Sequence, residues 1–279
     1  MEVFKSQTLR KLAKRVDTPD NGQITIVGGS DLFHGAPILS LRVASRIVDM
    51  VYFSSPEPSV GKVAEKIKAQ LGSFVWVPWD EIDSYIEKSD SVLIGPGMKR
   101  WHKEKENGKY QTPKIDIYDE AGTQTKFITE RLLRKFLNKQ WVIDGGALQT
   151  MDAKLIPQNS ILTPNTKEYE MLFDNLDVSE AAKKYNCIIV LKGAVTVVAS
   201  TNKGVEVHGG NSGLTKGGTG DVLAGLTVAL LSKNEPFLAA AAASWIVKKA
   251  ADDLFGRVGT VYNADDLTEE IPLVHGKYT

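Results

Sequence analysis

The sequence predicts an α/β domain with a mostly parallel central sheet, helices on both of its faces, and an antiparallel β-hairpin in the C-terminal half. Three observations carry this prediction. Short runs of Val, Ile and aromatic residues recur between Gly, Pro, Asp or Ser, the pattern of strands buried on both faces. Helical periodicities lie between those runs, and strands alternating with helices imply a parallel sheet covered on both sides. The third is a local change of pattern after residue 195 that reads as two strands joined by a tight turn.

The strand candidates are Ile24 to Val27, Met50 to Phe53, Phe74 to Val77, Val92 to Ile94, Trp141 to Ile143 and Ile188 to Leu191. Val60, Val63, Ala64, Ile67 and Leu71 share one helical face, with Ser59 placed as the N-cap. Phe127, Leu132, Leu133 and Phe136 mark a second helix. Thr196 to Ala199 and Val205 to Val207 flank Thr201-Asn202-Lys203-Gly204, a hairpin with a Gly-containing turn. Two long helices follow, Val222 to Leu231 and Phe237 to Leu254, with Pro236 near the start of the second. Residues 99–113, rich in Lys, Glu, Asn and Gly, read as a solvated insertion. No internal repeat or linker interrupts the chain, so residues 1–279 read as one domain.

Composition narrows the function. Apolar residues make up 42% and charged residues 24%, which describes an ordinary globular protein. With 34 basic and 34 acidic residues, no global basic field recruits nucleic acid or anionic lipid. A single cysteine, Cys187, rules out an internal disulfide framework and fits a reducing compartment. No apolar stretch has the length of a membrane span, and the start, Met-Glu-Val-Phe-Lys-Ser, lacks a signal-peptide core. The expectation is a cytoplasmic protein whose partners are small molecules. His34, His102, His208 and His275 show no metal-ligand spacing.

Residues 211–225 are the most informative. Gly217, Gly218, Thr219 and Gly220 lead into Asp221, which opens an apolar helix. Glycines bring bare amide N–H groups close to a ligand, and a helix N-terminus favours an anion. A carboxylate beside such a cradle repels the anion, so it needs a chemical reason. General-base work supplies one: Asp221 would take the proton of a hydroxyl attacking a phosphoryl group held by the glycines. The plain alternative is an Asp in the first turn of a capped helix.

Gly-Gly-Thr-Gly-Asp-Val-Leu-Ala-Gly, preceded by Gly210-Asn211-Ser212-Gly213, resembles the signature of the NAD(P)H-hydrate dehydratases, ADP- or ATP-dependent repair enzymes of the ribokinase-like superfamily. Four further blocks agree in order: Val27-Gly28-Gly29-Ser30 with Gly35-Ala36-Pro37; Ile94-Gly95-Pro96-Gly97-Met98; Leu162-Thr163-Pro164-Asn165 with Glu168; and Val190-Leu191-Lys192-Gly193-Ala194. The resemblance implies a ribokinase-like three-layer α/β/α fold. It implies that hydrated NADH or NADPH, NAD(P)HX, is phosphorylated on its C6 hydroxyl by ADP or ATP and then loses phosphate. It makes Asp221 the catalytic base. Lys192, Gly193, Ala194, Val195 and Thr196, with Gly217, Gly218, Thr219 and Gly220, would hold the nucleotide. Ala36, Gly97, Asn165 and Asp221 would meet the substrate, and Glu168 would organise Mg²⁺ through water.

The chain departs from the family pattern in places. Lys99 stands where the family usually has glycine, and Asn165 where many bacterial members carry His. Lys216 replaces a small residue, and we expect it to reach nucleotide phosphate. Val142 to Leu148 matches a block that normally carries two acids, of which only Asp144 remains, with no role assigned. The chain is too short to add the epimerase domain often fused to these dehydratases, and the family implies a homo-oligomer. A kinase of a small alcohol shares the glycine–acid chemistry, whereas an intact Asp221 argues against a nucleotide sensor without turnover, which has no use for an acid beside phosphates. The residues do not choose between ADP and ATP, or between NADHX and NADPHX.

Overall fold

The computed structural model describes residues 1–101 and 120–279, with the backbone of 104–106 and 109–111 between them. His102 and residues 103, 107, 108, 112 and 113 of the 99–113 insertion lie outside the described residues. The strands are β1 (Glu2–Val3), β2 (Gln23–Val27), β3 (Met50–Ser54), β4 (Val75–Trp76), β5 (Ser91–Ile94), β6 (Glu104–Glu106), β7 (Lys109–Gln111), β8 (Gln140–Ile143), β9 (Ile161–Leu162), β10 (Ile188–Leu191), β11 (Thr196–Ala199) and β12 (Gly204–Val207). The α-helices are α1 (Gly35–Ala44), α2 (Pro58–Ile67), α3 (Ile82–Lys88), α4 (Glu120–Lys135), α5 (Gly145–Thr150), α6 (Thr166–Phe173), α7 (Val178–Tyr185), α8 (Thr219–Leu231), α9 (Pro236–Val258) and α10 (Ala264–Tyr278).

Ten strands form one sheet in the order β1-β12-β11-β10-β9-β8-β5-β2-β3-β4. Pairing is parallel from β4 through to β10, and β10-β11-β12 form an antiparallel meander. β6 and β7 make a separate antiparallel pair. All six expected strands are present, as is the hairpin. Successive side chains alternate between two cores. Ile24, Ile26, Leu93 and Val142 face Leu41 of α1, Val60 of α2, Leu226 of α8 and Ile271 of α10. Val27, Val92, Ile94, Trp141 and Ile143 face Ile86 of α3, Leu132 of α4, Phe173 of α6 and Ala181 of α7. The sheet is therefore covered on both faces, which is why its central strands are apolar throughout.

The register is what builds the site. Val27 pairs with Ile94, Ile94 with Ile143, and Ile143 with Leu162. The residues that follow, Gly28, Gly95, Asp144 and Thr163, therefore stand in a row along the carboxyl edge. A bridge between Asn165 and Lys192 extends the row to the next strand.

Four details differ from expectation. α2 is capped by Glu57, whose side chain accepts from the Ser59 amide. Pro58 lacks an N–H and occupies the first turn at no cost, so Ser59 falls inside the helix, which ends at Ile67 before Leu71. The fourth strand pairs only through Val75 and Trp76. α10, with a capping box at Asn263 and Asp266, was not anticipated. Neither was β1, whose two residues extend the sheet beyond β12. Among the described residues no helix is long and apolar enough to cross a membrane.

α8 packs against α1 at close range because of a glycine. A Cβ on Gly225 would lie 2.5 Å from both Cα and O of Ser40. Since backbone cannot yield as a side-chain tip can, Gly225→Val should cost roughly 2–3 kcal/mol by overpacking. Urea unfolding with an unchanged m-value checks this, and a loss under 1 kcal/mol would show that the helices separate easily.

Candidate active site

Three carboxylates and one lysine gather at the carboxyl edge. Asp144 follows β8 at the N-cap position of α5 without bonding that helix through its side chain, and its Oδ1 accepts from the Thr163 hydroxyl at 2.7 Å and from Lys192 Nζ at 3.0 Å. Only 3% of Asp144 is exposed, so a negative charge there needs these partners. Glu168 is in the first turn of α6 and closes a capping box with Asn165: each side chain accepts from the other's amide, at 2.9 and 3.0 Å. Its second oxygen accepts from Gln149 Nε2 at 3.1 Å, and Lys192 Nζ lies 3.9 Å away.

Asp221 stands in the first turn of α8, where Gly218 supplies the N-cap with φ +91°. A side chain at 218 would be strained by that φ and would also strike Leu39 and Ala264. Gly217 has open space where its Cβ would be, while a Cβ on Gly220 would touch Lys192 Nζ at 3.3 Å. The lysine from β10 thus crosses beneath the glycine turn. The Ser40 hydroxyl donates to the Asp221 carbonyl at 2.7 Å, which ties this turn to α1.

One cation serving three acids leaves negative charge unbalanced. Burial, then the neighbouring Asp144, pushes the Asp221 carboxyl up to about 7 against the opposing pull of Lys192. Burial raises Glu168 as well, again despite Lys192. Burial alone would lower the Lys192 ammonium, yet Asp144 and Glu168 outweigh it and hold it above the ordinary lysine value. The consequence for stability has a definite sign. Between the ordinary aspartate value of 3.8 and about 7, the folded chain keeps a proton on Asp221 that the unfolded chain has lost. This group's contribution therefore falls as pH rises through that window. Asp221→Asn should flatten the decline, read by denaturant unfolding at pH 5 and pH 7; an unaltered slope would assign the carboxyl an ordinary environment.

The residues expected from sequence mostly converge. A cleft of about 620 Å³ is lined by Ala36, Gly97, Asp144, Glu168, Lys192, Gly217, Gly218, Gly220 and Asp221, along with Phe33, His34 and Arg100. A second lobe of about 410 Å³ shares Leu32, Phe33, Arg100, Gln149 and Glu168 and contains Asn165. Asn165 therefore caps its helix and also lines the cleft's outer lobe. Gly193, Ala194 and Val195 form the exposed loop beyond Lys192, and Thr196 is buried at the start of β11. Thr219 turns its hydroxyl back to the carbonyls of Leu214 and Lys216, closing the turn.

Lys216 differs from expectation. Its ammonium donates to the carbonyls of Thr260 and Tyr262 and lies over the Tyr262 ring, and it does not line the cleft. Two carbonyl acceptors on the turn between α9 and α10 hold the cation away from the glycine run. Asp144 is followed by Gly145 and Gly146, and a Cβ on Gly146 would collide with the Met98 carbonyl. The close approach of the Met98–Lys99 backbone therefore requires the glycine. Among the described residues no three His, Cys, Asp or Glu side chains gather as a direct metal cage.

A mostly parallel sheet covered by helices on both faces is the fold of an Enterococcus faecalis structure described as a ribokinase-like superfamily protein, at a TM-score of 0.81 and 20% identity, with 100% of this chain and 96% of that one covered. A Bacillus subtilis structure described as ADP/ATP-dependent NAD(P)H-hydrate dehydratase, co-crystallized with ATP/Mg²⁺ and soaked with CoA, has this fold. Its TM-score is 0.79 at 20% identity, with 100% of this chain and 99% of that one covered. The chain belongs to the NAD(P)H-hydrate dehydratase family, whose model matches residues 24–273. A Methanocaldococcus jannaschii protein named bifunctional NAD(P)H-hydrate repair enzyme Nnr is 34% identical over 278 residues, covering 96% of this chain and 51% of that protein. A Nitrosopumilus maritimus protein named ADP-dependent (S)-NAD(P)H-hydrate dehydratase is 27% identical over 281 residues, covering 91% and 88%. The chain spans about half the length of the bifunctional relatives it matches.

Proposed function

We propose that this chain restores NADH or NADPH from their C6-hydrated forms at the expense of ADP or ATP. The observation that carries this reading is the Asp221 carboxyl, shifted to about 7, beside an open glycine turn with Lys192 beneath it. A base titrating near neutrality both accepts a proton and exists ionised at working pH. The amides of Gly217 to Gly220 and the N-terminus of α8 favour the terminal phosphate of the nucleotide. The loop Gly193 to Thr196 holds its remaining part, and Ala36 and Gly97 face the hydrated ring.

Asp221 removes the proton of the C6 hydroxyl as that oxygen attacks the terminal phosphorus, and the bond to the departing AMP or ADP breaks. The ring nitrogen's lone pair then expels phosphate from C6, and loss of the C5 proton restores the double bond. Lys192 offsets part of the charge that accumulates on the transferring group.

The residues fit Mg²⁺. Asp144, Glu168 and Asp221 share one cation, Lys192, and burial, with Asp144 adding to it, raises both Glu168 and Asp221. Glu168 and Asp144 would hold the ion through water, as suits a cation that keeps several of its waters. When bound, it would neutralise phosphate oxygens. The direct test incubates the purified protein with hydrated NADH and either ADP or ATP and follows the reduced-nicotinamide absorbance. Return of absorbance only when nucleotide is present supports the reading. No return with either nucleotide, and transfer of phosphate to a simple alcohol instead, would replace it with a kinase.

A further inference from the structure

Lys248 lies within α9, in an alanine-rich stretch that packs against the sheet, and only 6% of it is exposed. A lysine this deeply buried loses hydration that only several good acceptors can replace. It has three, all backbone carbonyls: Ala194 at 2.7 Å, Gly209 at 2.9 Å and Gly193 at 3.2 Å. One helical turn later, Asp252 accepts from the Gly210 amide at 3.0 Å, and Asn211 Nδ2 reaches Asp252 Oδ1 at 3.4 Å. Residues four apart on a helix can pair with each other. Here the cation takes carbonyls from two loops, and the carboxylate takes an amide from one of them.

Those loops are 193–196, beyond Lys192, and 209–213, which leads into the glycine turn. Gly209 and Gly210 both have positive φ, at +94° and +77°, and a Cβ on Gly210 would press on Lys248 Cγ at 3.1 Å. The loop backbone is thus wrapped closely around the lysine stem. With three carbonyls drawn inward to one ammonium, the two loops are held at a set spacing before any ligand arrives. Such preorganisation lowers the cost of binding whatever lies between them.

We infer that Lys248 is a positioning residue for the nucleotide: it clamps loops 193–196 and 209–213 into the spacing that ADP or ATP requires. This rests on the reading above that 193–196 and the glycine turn, into which 209–213 leads, hold the nucleotide. The lysine touches neither substrate nor transferring phosphate, so its removal acts on nucleotide affinity and little on the chemical step.

The test measures ADP and ATP binding by titration calorimetry, together with KM and kcat for nucleotide. Lys248→Met keeps the length and removes the donors; Lys248→Gln keeps an uncharged NH₂ with two donors. Ser244→Ala, on the same helix one turn earlier, removes a buried hydroxyl bonded only to the Ala240 carbonyl and serves as the structural control. Lys248→Met should weaken nucleotide binding and raise its KM by about tenfold or more, since hydrogen bonds to a charged group are the strong ones, with kcat changed less than threefold. Lys248→Gln should fall between Met and the parent chain, and Ser244→Ala should bind as the parent does. Nucleotide affinity unchanged in Lys248→Met overturns the inference, as does an equal loss in Ser244→Ala at similar thermal stability. If the parent chain binds neither ADP nor ATP, the nucleotide reading itself fails.

Discussion

Asp221→Asn is expected to lower kcat by about 10²–10⁴, the range for removing a general base. The substitution keeps the shape of the side chain, and the Ser40 bond to the Asp221 backbone survives, so the turn should keep its form. ADP binding should persist or tighten, because a carboxylate that repels phosphate at short range has been neutralised. Hydrated NADH should bind with a similar KM. That combination, chemistry lost and both ligands retained, separates a proton acceptor from a residue that merely caps α8. Steady-state kinetics alongside calorimetry checks it, and a kcat within threefold of the parent would remove Asp221 from the mechanism.

Lys192→Met is expected to have the largest effect on stability among the site residues. Lys192 Nζ is the only cation within ion-pair reach of Asp144 and Glu168 among the described residues. Its loss leaves the buried Asp144 carboxyl with the Thr163 hydroxyl as its remaining side-chain donor. Breaking one half of a buried ion pair costs about 3–5 kcal/mol. The partly open position of Lys192, with 21% of its side chain exposed, argues for the lower end. The Asp221 carboxyl should rise further once its nearest cation is gone, which moves the rising limb of the kcat/KM profile to higher pH. Adding Asp144→Asn to Lys192→Met should recover much of the stability but not the activity, because the buried charge goes with its partner. Denaturant unfolding of the two single variants and the double variant measures the coupling. Additive losses would mean that the pair is not an energetic unit.

The sheet and the glycine–acid turn were legible because each is written locally. A strand buried on both faces spells itself in Val and Ile, and the Gly217 to Asp221 run needs no distant partner to be recognised. What sequence reading missed depends on contacts between residues far apart in the chain. Lys248 reads as half of a Lys-Lys pair in an ordinary helix, and its acceptors lie 39 to 55 positions away. Its one local sign is Asp252, a second charge four residues on in a face otherwise apolar. Lys216 was assigned to phosphate because it adjoins the glycines, but carbonyls 44 and 46 residues later hold it. Asp144 was left without a role because its meaning depends on Lys192 arriving from another strand. β1 has two residues, too few to show any period, and its pairing with β12 is decided by the fold around it.

The measurement that bears most directly on the central claim follows an oxygen atom. Hydrated NADH prepared in ¹⁸O-water carries the label on its C6 hydroxyl. If that hydroxyl attacks the nucleotide's terminal phosphorus and then leaves as phosphate, one ¹⁸O must appear in the inorganic phosphate released, as seen by mass spectrometry. Label recovered in water, with unlabelled phosphate formed at the same rate, would mean that the hydroxyl departs unphosphorylated and would contradict the account.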